Sequence, residues 1–251
     1  MRTKVAASHH DNQTPSPAPT PVVAPHKPIR TLVVDIGGAG IKAMVLNEIG
    51  EPIKERKRIA TPRSGKPQDV IAAIRKLAKE LGSFHRISVG FPGVVRSGVV
   101  GDAVNLAREW KDFNVTKALE SKFRKPVRAA NDADVQGFGA ISGRGVELVL
   151  TLGTGVGSSL FVDGRLVPNV EVGKSKLSHD ELTRIGKRRW NRRLGKLIDK
   201  LEAMFHYDRL YIGGGNAEMV NISLLPGNVT IVSNLNGLLG GIALWNDCPT
   251  P

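Results

Sequence analysis

From Thr31 onward the chain alternates between short apolar runs that end at glycine and longer stretches whose apolar residues recur every three or four positions. The runs read as strands and the stretches as helices. "TLVVDI" is a β-rich run ended by Gly37 and Gly38. "IKAMVLN" follows as a second strand, and "EIGEP" turns into a third, "IKERKRIA", whose mixed polarity puts it toward an edge. "PQDVIAAIRKLAKELG", Pro67 to Gly82, has the helical period, with proline at its start and glycine at its end. "RISVGFPGVV" predicts a strand entering a glycine-proline loop, "TKALESKF" a helix, and "VRAAND" a strand with polar residues at its end.

A second cycle repeats the first. "VELVLTLGTGVGSSLFVDG" gives strand, glycine turn, strand, and a long helix follows over roughly Asp180 to Phe205. "RLYIGGG" is a strand into a glycine turn, "VTIVSN" a further strand, and "GLLGGIALW" a closing helix. The predicted class is α/β: two lobes, 30–130 and 131–251, around a cleft, with the two glycine turns facing each other across it. Residues 1–29 form a tail. Its "DNQTPSPAPTPVVAPHKP" is rich in proline, threonine and serine and has little to bury, so disorder or polyproline-like structure is expected.

The charge changes this picture most. The formal net charge is +13, a surface that attracts polyanions: nucleic acid, anionic membrane or a phosphate polymer. Aromatic residues are only 5% of the chain, too few for much base stacking, which argues against a nucleic-acid binder. The lone cysteine, Cys248, excludes an intramolecular disulfide and a multi-cysteine zinc site. No apolar run reaches the roughly 18 residues of a membrane span, and no signal-peptide core stands at the N-terminus. The expectation is a cytoplasmic protein without a membrane partner.

The two glycine turns, Asp35 to Gly40 and Leu152 to Gly157, carry the candidate chemistry. Glycine lets backbone N–H groups approach phosphate oxygens without an intervening Cβ. Either turn alone is an ordinary hairpin, but in matching positions the pair can hold a phosphate chain from both sides. Neither is a Walker A loop, because no GK[ST] follows, and neither is a dinucleotide fingerprint, because a strand follows each. Asp35, at a strand end beside the first turn, can hold Mg²⁺ directly or through water, or else simply cap the turn. Asp132, between an apolar strand and a helix, can point into the cleft as a general base. Helix capping is the competing role there, and Asp134 fits it better. Gly213, Gly214 and Gly215 after "RLYI" suit backbone contact with something flat or anionic.

In order along the chain, "DIGGAGIK", "VGFPGVV", "NLAREW", "NDAD", "LTLGTGVGSSLF", "LVPNVEVG", "LYIGGG" and "GLLGGIAL" resemble the ROK family of sugar kinases, in particular its polyphosphate-dependent glucokinase branch, over Arg30 to Trp245. The resemblance implies the two-lobed actin-like (ribonuclease H-like) fold. It implies transfer of a terminal phosphoryl group from ATP, inorganic polyphosphate or both to a hexose, usually the 6-hydroxyl of glucose, with Mg²⁺ as cofactor. On it, Asp132 matches the catalytic base, and Asn105, Asn131 and Glu171 match sugar ligands. Gly93 lies on the loop lining the sugar. Asp35, Gly37, Gly38 and Gly40 match the first phosphate turn, Gly153, Thr154, Gly155 and Gly157 the second, and Gly213 to Gly215 the nucleotide-side loop. The family often forms homodimers.

One departure bears on the acceptor sugar. The family motif reads Glu-x-Gly-His, and here Lys174 stands in the histidine's place. A charged lysine donates a hydrogen bond but accepts none. His179 could substitute, although a surface histidine is the plainer reading. The departure motivates an alternative, a sugar-sensing or regulatory protein that kept the fold and lost catalysis. On the donor side, Lys187, Arg188, Arg189, Arg192 and Arg193 crowd one helix, where like charges a turn apart repel. A polyphosphate chain would compensate them, since arginine grips phosphate oxygens bidentately; a solvated basic face is the competing reading.

Overall fold

The computed structural model describes residues 28–103, 106–168, 170–172, 176–233 and 236–245. Most of the expected tail, Cys248, Asn105 and Lys174 lie outside them.

The first cycle forms one five-stranded sheet. β1 (Thr31–Ile36) pairs antiparallel with β2 (Gly40–Leu46), and β2 with β3 (Lys57–Ala60). α1 (Pro67–Leu81) crosses over to β4 (Arg86–Phe91), which runs parallel to β1. A small hairpin of β5 (Val95–Arg96) and β6 (Val99–Val100) precedes α2 (Val115–Phe123). β7 (Val127–Asn131) then completes the order β3-β2-β1-β4-β7. β3 is shorter than its sequence suggests. Pro52 and Ile53 still bond to the end of β2, but Ile53 to Arg56 stand exposed, with no neighbouring strand to hide them.

α3 (Asp132–Phe138) leads into the second cycle. β8 (Val146–Leu152) and β9 (Val156–Val162) form its antiparallel hairpin, and β10 (Arg165–Val167) pairs outside β9. β11 (Arg209–Gly213) and β12 (Val229–Ile231) add in parallel, giving β10-β9-β8-β11-β12. The two sheets share one topology, that of the two-lobed actin-like, ribonuclease H-like fold.

The long helix expected over 180–205 is two helices. α4 (His179–Ile185) and α5 (Lys187–Phe205) meet at Gly186, whose φ of 78° breaks the helical path. α5 buries Trp190, Leu194, Ile198 and Leu201 against Leu148 and Leu150 of β8. Each such side chain contributes about 1.5–3 kcal/mol by leaving water. The Trp190 indole donates to the Leu177 carbonyl at 3.1 Å, fixing the chain ahead of α4. The charged residues are left on the outer face.

Alternation along β1 divides its burial between two faces. Leu32 and Val34 pack under α1 and α2, while Val33 joins Met44 and Leu46 on the opposite face. That second face is covered from the far end of the chain. α6 (Asn236–Leu239) and the 3₁₀ turn Gly240–Trp245 return to it, bringing Leu238 and Ile242. The Trp245 ring lies between the guanidinium groups of Arg86 and Arg128, each 4.8 Å from its centroid, and its Nε1 donates to Ser88 Oγ at 2.8 Å. The closing segment thus packs both on the second face of the first sheet and against α3, while the matching face of the second sheet, with Val149, Phe161 and Tyr211, is covered by Phe138, Ala140 and Ile141. α3 lies between the sheets, with Phe138 edge-on to Phe161 of β9 and the Ala133 carbonyl accepting from Ser159 Oγ.

Among the described residues, no helix is long and apolar enough to cross a membrane.

Candidate active site

Both glycine turns open into one cleft of about 360 Å³ between the lobes. Gly37, Gly38 and Gly40 line it from β1–β2, and Gly153, Thr154, Gly155 and Gly157 from β8–β9. Asp132, Asn131, Gly93, Glu171, Gly214 and Gly215 line it as well. A larger concavity of about 930 Å³ lies alongside, between 52–56 and the loop after β11. It shares Gly214 with the cleft but holds neither Asp132 nor either glycine turn, so the smaller space is the candidate site.

The first turn is closed by Gly37 N–H donating to the Gly40 carbonyl at 3.1 Å, and Thr61 Oγ1 donates to the Gly37 carbonyl at 2.5 Å. In the second turn the Gly153 carbonyl accepts from His179 N–H at 2.8 Å and from Asn216 Nδ2 at 3.1 Å. His179 Nδ1 lies 3.0 Å from Asn216 Oδ1. His179 thus ties the second turn to the loop after β11 and does not line the cleft. Gly213, nominated with its two neighbours, is buried at the end of β11; only Gly214 and Gly215 face the space.

Asp132 is the first residue of α3, packed beside Gly90 of β4. Asn131 is the cap: its Oδ1 accepts from Ala133 N at 2.8 Å and Asp134 N at 3.4 Å, while its Nδ2 donates to the Gly93 carbonyl at 3.1 Å. Capping therefore falls to Asn131 and not to Asp134, which is buried in the first turn. The cap leaves Asp132 facing the cleft. Burial first, then the nearby charge of Asp35, push its carboxyl up to about 7, against partial relief from the Ala133 N–H. A carboxylate titrating near neutrality is suited to accept a proton.

Asp35 is not a lone carboxylate. Its Oδ2 accepts from Lys42 Nζ at 2.9 Å, and Arg58 stands beside Lys42 on β3. The register Asp35–Lys42–Arg58 places all three in one row across β1, β2 and β3, and all three line the cleft. Lys42 and Arg58 are absent from the sequence nominations. The tight Gly37–Gly38 turn held the signal, because it fixes Lys42 opposite Asp35.

The basic helix does not reach the site. None of Lys187, Arg188, Arg189, Arg192 and Arg193 lines the cleft. Arg193 is committed to Glu181 at 2.7 Å, and Arg184 to the same carboxylate at 2.9 Å. These hydrogen bonds, Arg184 first and Arg193 second, pull the Glu181 carboxyl down to about 2. Lys187, Arg188, Arg189 and Arg192 remain on the exposed face.

The ROK family model matches residues 31–172. The chain belongs to the ROK family. Among its ROK relatives, a polyphosphate glucokinase from Mycobacterium leprae is 28% identical over 232 residues, covering 82% of this chain and 72% of that protein. The crystal structure of an inorganic polyphosphate/ATP-glucomannokinase from Arthrobacter sp. strain KM superposes with a TM-score of 0.78 at 28% identity, over 87% of this chain and 98% of that one. A ROK family glucokinase from Streptomyces griseus, in complex with glucose and AMPPNP, shares the fold at 19% identity, with a TM-score of 0.70 over 86% and 98% of the two chains.

Proposed function

We propose that this ROK protein is a sugar kinase that transfers a terminal phosphoryl group from inorganic polyphosphate or ATP to a hexose, with the 6-hydroxyl of glucose as the first candidate acceptor. One observation carries the reading. Asp132, its carboxyl pushed up to about 7, stands in the same cleft as two facing glycine turns. The glucokinase and glucomannokinase relatives support it.

Asp132 takes the proton of the attacking hydroxyl as that oxygen approaches the phosphorus. Backbone N–H groups of both turns, with Lys42 and Arg58, face the charge that develops on the transferred group. Asn131 and Glu171 hold sugar hydroxyls, and Gly93 lines that side. Closure of the lobes excludes water, which would otherwise compete as acceptor. Mg²⁺ fits the donor set, because it keeps several waters and takes one or two carboxylates plus substrate phosphates. Asp35 would hold it, and the ion would supply charge neutralisation for the donor. The exposed cations of α5 serve as an outlying dock for a long polyphosphate chain.

The test is a sugar panel offered to purified protein with ATP and polyphosphate separately. Sugar-dependent phosphate transfer with at least one donor is expected, and its absence with both overturns the reading. A finer expectation concerns Lys42. The base works only when deprotonated, so kcat/KM should rise with pH through about 7. Lys42→Met removes the cation that offsets Asp35, and the full Asp35 charge then raises the Asp132 pKa further. The acidic limb of the pH–rate profile should move to higher pH. An unmoved limb would mean that Asp35 does not set the base.

A further inference from the structure

Gln136 lies one helical turn after Asp132 on α3, so the two share a face. Side chains on a helix tilt toward its N-terminus, which here leans Gln136 back toward the cleft end. It lines the cleft with Thr151, Leu152 and Gly214. Its amide nitrogen is buried and has no hydrogen-bond partner among the described residues. The nitrogen packs against Gly213, where any Cβ would collide with it.

This is an expensive arrangement for a folded protein. Buried polar atoms are nearly always paired, and an unpaired amide costs free energy that a methionine of similar length would avoid. Among the described residues no group pairs with it, and the glycine opposite leaves it room. The nitrogen as placed faces Gly213 rather than the open space, but the side chain lines the cleft, and a half-turn of its terminal amide presents the unpaired donor to a ligand acceptor there. Its neighbours narrow the choice. The second glycine turn and Gly214 to Gly215 line the same cleft with backbone whose N–H groups suit anionic oxygens. A cation at this position would pair with Asp132 and depress the base, and a carboxylate would repel the donor. A neutral amide does neither.

We propose that Gln136 is a donor-binding residue. Its carboxamide donates a hydrogen bond to an oxygen of the donor's phosphoanhydride chain, a chemistry that polyphosphate and a nucleoside triphosphate share. The inference rests on the sugar-kinase reading and adds a contact to its donor side.

The test uses Gln136→Met, with Gln136→Leu as a second apolar variant in case one packs poorly. Thermal unfolding should show no loss of stability, since each removes an unpaired buried amide. Calorimetric binding of inorganic tripolyphosphate, without sugar, should weaken about tenfold or more, as expected for losing one hydrogen bond to a charged group. The KM values for ATP and for polyphosphate should rise together, with sugar KM unchanged. Tripolyphosphate binding equal to wild type in a folded variant overturns the proposal. So does a rise in KM confined to ATP, which would move the contact to the nucleoside. Wild-type protein that binds tripolyphosphate but phosphorylates no sugar would instead overturn the kinase reading, while the binding comparison still decides on Gln136.

Discussion

Asp132→Asn is expected to lower kcat by about a thousandfold, within the range of about 10²–10⁴ that a positioned general base contributes. Asparagine keeps the size and planar shape of the side chain, and its carbonyl can still accept from the Ala133 N–H. The cap of α3 is untouched, because Asn131 supplies it. The variant should therefore fold and bind sugar within about twofold of wild type, since the change removes proton acceptance and little else. A coupled assay for turnover, paired with calorimetric sugar titration, separates the two effects. Retention of a tenth or more of wild-type turnover would remove Asp132 from the role of base.

Gly214→Ala should produce a large loss of stability for a single added methyl. Gly214 has a φ of 91°, in the left-handed region that a side chain rarely tolerates. A Cβ there would meet backbone atoms of Leu152, which cannot rotate aside as a flexible side chain would. Leu152 ends β8 and its carbonyl accepts from Asn216 N–H at 2.9 Å, so displacing it also disturbs the loop that pins the second glycine turn. Left-handed strain of about 1–2 kcal/mol and overpacking of about 1–3 kcal/mol combine to an expected loss of about 2–5 kcal/mol. Gly215→Ala is the control, because a Cβ at that position meets nothing within 4 Å. Urea unfolding should place the first midpoint well below wild type and the second close to it. Coincident midpoints for the two variants would show that Leu152 yields freely.

Much of this was legible in the sequence because its signals are local. Glycine turns between apolar runs announce both hairpins, and the helical period of α1 gives its ends to within a residue. The two glycine turns could be nominated together because they recur in the two halves of the chain, and Asp132 because it follows an apolar strand and opens a helix. The misses are cases where distant chain decides. Gly186 lies within a stretch periodic enough for one helix, and only the packing of α5 onto β8 shows why the path must turn there. The arginines of that helix advertise a phosphate site by composition, which stands as a proposal, while the face they occupy follows from Trp190 and Leu194 claiming the other. Gln136 looks like any helical polar residue until Gly213, far along the chain, is seen beside it.

The closing segment of the chain has a consequence for how the protein is made. Val33 and Met44 acquire their cover only when Leu238 and Ile242 arrive, and Trp245 seats between Arg86 and Arg128 later still. During synthesis the leading half must wait, one greasy surface bare, until the last turn has cleared the ribosome. A fragment cut after Asn131 would keep that surface wet for good and would aggregate rather than behave as an autonomous module.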